Sequence, residues 1–164
     1  MKAGARPFKP DSREKLFPEQ GHDPYKRQAK LREPTVCPVC GAVYREGRWQ
    51  WAARVSGAEE VVCSACHRIA DGMPAGYLYI EGAFDSHDRV ELLQLLRHHE
   101  TRARSEHPME RIITIDERFE RTVVTTTGIH LARELGAALE RAFHGCLELK
   151  FSKAENLLRA YWHR

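Results

Sequence analysis

The sequence predicts an α+β protein in three parts. A basic N-terminal tail, residues 1–34, precedes a four-cysteine zinc ribbon, residues 35–76. A small antiparallel sheet unit of ββαββ type, residues 77–164, comes next with its helices on one face. Three observations lead there. Four of the five cysteines fall in two CxxC pairs, a spacing that sets two sulfurs on one side of a turn. Beyond residue 76, β-branched runs alternate with stretches of helical period. Before residue 35 there is no apolar period, and five of the eight prolines lie there.

The tail holds nine Lys/Arg against five Asp/Glu, whereas the whole 164-residue chain carries a formal charge of only +3. A proline-rich basic arm cannot bury enough apolar surface to fold alone, and it can order on a polyanion. The simpler reading is a solvated leader. MKAGARPFKPDSREK lacks the apolar centre of a secretory signal. No run in the chain approaches the ~20 apolar residues of a membrane helix. A cytoplasmic, reducing location without a membrane partner is therefore expected. There, clustered cysteines point to metal or redox chemistry before disulfides.

Cys37-x-x-Cys40 and Cys63-x-x-Cys66 stand 22 residues apart, which suits a two-stranded ribbon with a loop. Each turn supplies two corners of a tetrahedron, so Cys37, Cys40, Cys63 and Cys66 are the expected ligands of one structural Zn²⁺. Pro38 stiffens the first turn, and Gly41 permits a positive φ just after it. The second turn, CSACHR, has His67 at that place. CPVCGAVY also looks like the first knuckle of rubredoxin, an iron carrier, but the second CPxCG of that family is missing. A thioredoxin-type pair needs one CxxC opening a helix after a strand, and the surroundings of Cys37 and Cys63 do not suggest one. A closed four-cysteine site has no open position for substrate. Its four thiolates leave a Zn²⁺ centre with a double negative charge, and Arg45, Arg48, Arg54 and Arg68 are the basic groups within sequence reach. Trp49 and Trp51 share one side of a strand. They form either a stacking platform for bases beside Arg48 or a cover that docks the ribbon on the sheet unit.

In the last of the three parts, YLYIEGAF (77–84) alternates as a strand. Asp85 or Ser86 can cap a helix over 87–106, with Val90, Leu93 and Leu96, and Leu92 and Leu95, as its apolar stripe. RIITID (111–116) and RTVVTTT (121–127) read as a hairpin around ERFE. Thr127 can cap a second helix, 128–144, that turns Ile129, Ala132, Leu135, Leu139 and Ala142/Phe143 inward and stops at Gly145. CLELKF (146–151) and NLLRAYW (156–162) make a second hairpin around SKAE. Leu147, Leu149 and Phe151 then face the helix. Glu148, Lys150, Arg159 and Tyr161 face outward.

No catalytic constellation emerges. Cys146 lies near His144, but no third group is at hand to orient a base. His98 and His99 diverge by ~100° around a helix and fit a solvated helix end. Thr125–Thr127 precede a helix start, where a phosphate could sit, although a strand end with a cap accounts for them. No GxGxxG, GKS/T or GxSxG motif is present. The chain is not expected to be an enzyme or to take a small-molecule substrate.

HDPY (22–25), PTVCPVCGAVYREGRWQW (34–51), VCSACHRIADGMPAGYLYIEGAF (62–84), TVVTTTGIHLARELGAALERAF and ENLLRAYW together resemble a bacterial zinc-ribbon family, the BCAM-type proteins. The likeness covers nearly the whole chain. That family in turn resembles, more distantly, the adaptor that accompanies large ribosomal subunits out of the eukaryotic nucleus, and its archaeal relatives. The adaptor pairs cysteine knuckles with small α+β modules and binds the intersubunit face of the large subunit. It has more knuckles and further domains than this chain. The resemblance therefore implies contact with the ribosome or its RNA, not export.

The leading expectation is a zinc-stabilised RNA-binding protein on the ribosome or a ribosomal subunit, acting in hibernation, protection or modulation of translation. Its expected RNA contacts are Lys9, Arg13, Lys26, Arg27, Lys30 and Arg32 in the tail. Arg45, Arg48, Trp49, Trp51 and Arg68 are expected in the ribbon, and Lys150, Arg159 and Tyr161 in the sheet. The alternative is a ribbon that serves protein–protein or DNA-associated contacts without binding RNA.

Overall fold

The computed structural model describes Tyr25 and residues 29–164. Most of the expected tail, with Lys9, Arg13, Lys26 and Arg27, lies outside the described residues. What is described is an α+β arrangement of two sheets and three helices.

The cysteine pairs sit in the first unit. It contains β1 (Thr35–Val36), β2 (Val43–Arg45), β3 (Arg48–Gln50) and β4 (Glu59–Glu60), in the sheet order β3-β2-β1-β4. β1 runs antiparallel to β2 and parallel to β4. The first CxxC occupies the turn from β1 into β2. Gly41 has φ +80° there, and its N–H donates to the Cys37 carbonyl at 2.8 Å. A side chain would strain that conformation, so the glycine has a local reason. The second pair differs from the expected second knuckle. Cys63 is the N-cap of α1 (Ser64–Asp71), and its sulfur accepts from the Cys66 N–H at 3.4 Å. The second CxxC thus does open a helix after a strand. His67 needs no positive φ inside a helical turn, which explains the departure from the glycine of the first knuckle.

The second unit contains β5 (Gly76–Glu81), α2 (Ser86–Glu106), β6 (Ile112–Glu117), β7 (Arg121–Thr126), α3 (Ile129–Phe143), β8 (Cys146–Ser152) and β9 (Leu157–His163). Both expected hairpins form, β6 with β7 and β8 with β9. β5 enters between them, giving the order β6-β7-β5-β9-β8. It runs antiparallel to β7 and parallel to β9. Leu78, Ile80, Val124, Ala160 and Trp162 form the strand side of the core, against Leu92 and Leu96 of α2 and Leu131, Leu135 and Leu139 of α3. Each large side chain so buried contributes about 1.5–3 kcal/mol. Gly76 lets α3 come close: a Cβ there would lie 2.6 Å from the Ala132 Cβ.

Several local expectations change. Asp85 does cap α2, accepting from the Asp88 N–H at 2.8 Å. The buried stripe, however, is Leu92, Leu96 and Ala103, and Val90 is exposed, because it lies off the face that these spacings define. Thr127 does not cap α3. Gly128 is the N-cap and offers no side-chain bond. The Thr127 hydroxyl donates to the Met109 carbonyl at 2.6 Å and accepts from the Arg111 N–H at 2.9 Å. Glu110 serves the helix start instead, its carboxylate accepting from the Leu131 N–H at 3.0 Å. On α3, Leu131 and Ala138 are buried and Ala142 is exposed. Leu149 and Phe151 share the helix-side register with the core, yet they stay 43% and 53% exposed.

Candidate functional site

The four paired cysteines converge. Cys37 and Cys66 have sulfurs 3.8 Å apart, as do Cys40 and Cys63, and all four lie within 4.8 Å of one another. A tetrahedral zinc with bonds of about 2.3 Å would hold its sulfurs about 3.8 Å apart. The donor set and the spacing therefore fit a zinc ion. Three of the thiols are buried and Cys40 is half-buried. Trp49, Val62 and Met109 close around them.

The surroundings act unequally on the sulfurs. Burial works against the Cys37 thiolate, but backbone N–H groups of Cys63, Cys40 and Val39 outweigh it and draw the thiol down to about 7. Burial holds the Cys63 and Cys66 thiols above their ordinary range. Four crowded thiols with such opposed tendencies all ionise only around a cation, since metal ligation requires the thiolate. The first turn of α1 adds the positive end of a helix dipole beside Cys63 and Cys66.

The basic group at the sulfurs is none of the four that sequence proximity suggested. Arg45 and Arg48 are exposed. Arg54 pairs with Glu60. Arg68 is buried, donates to the Met73 carbonyl at 2.9 Å, and lies over the Tyr25 ring. Arg111, from the loop before β6, reaches in instead. Its Nη1 donates to the Cys66 sulfur at 3.3 Å and its Nη2 lies 3.7 Å from the Cys63 sulfur. It stands 45 residues from Cys66 along the chain, beyond any local pattern.

Both tryptophans make contacts within the protein, and Trp51 stays 39% exposed. Trp49 is half-buried beside the cysteines and meets Tyr44 edge-on at 5.5 Å. The Trp51 indole N–H donates to the Arg104 carbonyl of α2 at 2.6 Å. Of the tail residues that are described, Lys30 and Arg32 are exposed, with Lys30 3.8 Å from Glu33.

A second surface is more telling. Alternation in β5, β7, β8 and β9 sends one set of side chains away from α2 and α3, and none of that outer set is buried. Tyr79 and Tyr161 stack at 4.9 Å across paired strands, and Tyr77 lies 6.1 Å from Tyr79 with nearly parallel rings. Lys150 covers Tyr161 at 5.0 Å, Arg121 covers Tyr79 at 5.4 Å, and Arg159 covers Tyr77 at 5.9 Å. Lys150, Arg159 and Tyr161 are thus brought together as expected. Tyr77, Tyr79 and Arg121 belong with them and were missed. The signal was the i, i+2 tyrosine pair in YLYIE, which puts both rings on one strand face. Each cation also has an acidic neighbour: Arg121 lies 4.0 Å from Glu81, Lys150 3.4 Å from Glu148, and Arg159 3.7 Å from Glu155.

Of the remaining candidates, Cys146 shares the outer sheet face, two residues from Glu148. Cys146 is exposed at the start of β8. His98 and His99 lie on α2, where His99 approaches Glu134 at 3.4 Å. No described helix is long and apolar enough to cross a membrane. No protein-family model, curated protein or solved structure matches the chain.

Proposed function

We propose that the protein is a non-enzymatic, zinc-stabilised RNA-binding protein that associates with the ribosome or a ribosomal subunit. The observation that carries the RNA reading is the row of three tyrosines and three cations on the open face of the five-stranded sheet. An uncovered sheet face with aligned aromatic rings is a stacking surface for unpaired bases, worth about 1–3 kcal/mol per stacked base. Lys150 and Arg121 lie over Tyr161 and Tyr79, and their side chains are 61% and 45% exposed. Such exposed cation–ring contacts contribute about 0.5–1 kcal/mol, so a base or a phosphate can displace them. The ribosomal target rests on the family resemblance alone. Zinc in a closed set of four thiolates serves as a structural ion.

The test is direct. Tyr79→Ala with Tyr161→Ala should weaken binding to a single-stranded oligoribonucleotide by tenfold or more and reduce co-sedimentation with ribosomal particles, with the fold retained. Because the three cations are already paired, the salt dependence of binding by residues 29–164 should be shallow. Wild-type protein that stays at the top of a low-salt gradient, from growing and from starved cells, would end the ribosome reading. The protein-interaction reading would then stand, and the exposed Leu149 and Phe151 on the edge strand β8 favour it.

A further inference from the structure

We infer that Arg111 is the counter-charge of the metal centre and the link through which metal occupancy orders the junction between the two units. The inference rests on the zinc reading of the four cysteines. Arg111 is only 5% exposed. Its acceptors among the described residues include the Pro108 carbonyl, at 2.8 Å from Nε, and the sulfurs of Cys66 and Cys63, and the Cys40 sulfur also interacts with it. No described carboxylate forms an ion pair with it; Glu110 and Glu100 each accept from a backbone N–H, that of Leu131 and that of Ile112. A guanidinium cannot shed its proton, and a buried charge needs a partner. The sulfurs are the partner available, and they supply it only as thiolates. Four thiolates on a divalent ion leave two negative charges in a dry setting, which one guanidinium halves. Hydrogen bonds from outer partners of this kind tighten a metal site.

The same residue is tied to the sheet unit. The Arg111 N–H donates to the Thr127 hydroxyl, which donates to the Met109 carbonyl. Glu110, next to it, holds the start of α3 at Leu131, and Ile112 begins β6. Residues 109–112 therefore join the cysteines, the first strand of one hairpin and the first turn of a core helix. Loss of the metal would leave the Arg111 charge buried without compensation and would loosen all three.

The experiment uses the full chain. Zinc content is first measured in purified wild-type protein; absence of stoichiometric zinc overturns the zinc reading and this inference with it. Zinc release to a chromogenic chelator is then followed in wild type, Arg111→Met and Arg111→Lys. The methionine variant should release zinc at least tenfold faster. The lysine variant, which keeps the charge without the two-pronged geometry, should fall between. Equal release rates in a zinc-loaded wild type and in both variants would overturn the role of Arg111 and leave the zinc reading intact. Should the methionine variant fail to fold, the lysine variant and hydrogen exchange of the wild type decide. Stripping zinc should raise exchange at the Arg111, Ile112 and Leu131 amides, and unchanged exchange there overturns the link.

Discussion

Glu110 shows what single side chains do at the junction. Burial, the larger influence, pushes its carboxyl above the ordinary range, and the N–H donated by Leu131 only partly offsets it. The folded protein therefore holds a proton on Glu110 to higher pH than the unfolded chain does. Stability from this group is present at low pH, falls as pH rises from the ordinary carboxylate value through the raised folded one, and is level above it. Glu110→Gln should remove that fall. Its stability relative to wild type, read by chemical denaturation over a pH series, should climb across the same window; a pH-independent difference would contradict the assignment. Residues of this kind were hard to foresee. The four cysteines declare themselves by spacing, and Asp85 by its place before a helical period. Arg111 and Glu110 act on partners twenty or more positions away, and nothing in their own neighbourhood marks them. The tyrosine row was half visible: Tyr161 faces out of an alternating strand, while Tyr77 and Tyr79 do so two residues apart in a strand read only for its existence.

Secondary-structure elements were legible where local chemistry decides them and less so where packing does. The strand and helix ranges follow periodicity closely, and the two hairpins sit where β-branched runs flank polar turns. Packing then chose which of the five leucines and valines at the start of α2 turn inward, leaving Val90 in solvent. It also moved the α3 cap from Thr127 to a distant carboxylate. α1 is a different case. With eight residues, it is too short to persist alone in water, and its first turn is organised by Cys63 and Cys66. Removing the metal with a strong chelator should melt α1 and β1–β4 together. The core around Trp162, built from α2, α3 and the five-stranded sheet, should keep its tertiary signal apart from loosening near residues 109–131. Nuclear magnetic resonance of the zinc-bound and stripped protein would check this. Loss of the Trp162 environment along with α1 would mean that the sheet unit has no stability of its own.

For the whole molecule, cysteine spacing and hydrophobic periodicity were enough to indicate an α+β protein with a four-cysteine cluster and a sheet covered on one side. They did not reveal that β5, the first strand of its sheet to appear along the chain, occupies the middle. Strand pairing at that distance leaves no local trace, because both of its edges are completed by strands from elsewhere. The placement has a kinetic consequence. Each hairpin closes over a few residues, but the seam that joins them sets Gly76 beside Leu158 and Ile80 beside Trp162. Closing so long a loop lowers the folding rate, since its entropy is lost before the seam contacts form. Ala160→Gly in the seam should therefore act mainly by slowing refolding, and Ile115→Val in the outer hairpin mainly by speeding unfolding, in stopped-flow chevron measurements. The reverse pattern would place the nucleus in the hairpins. If the seam is the nucleus, the chain spends its early life as two ready hairpins and a loose strand. During that interval the tyrosine row does not yet exist, so the proposed RNA-binding surface is assembled in the same step that commits the molecule to its fold.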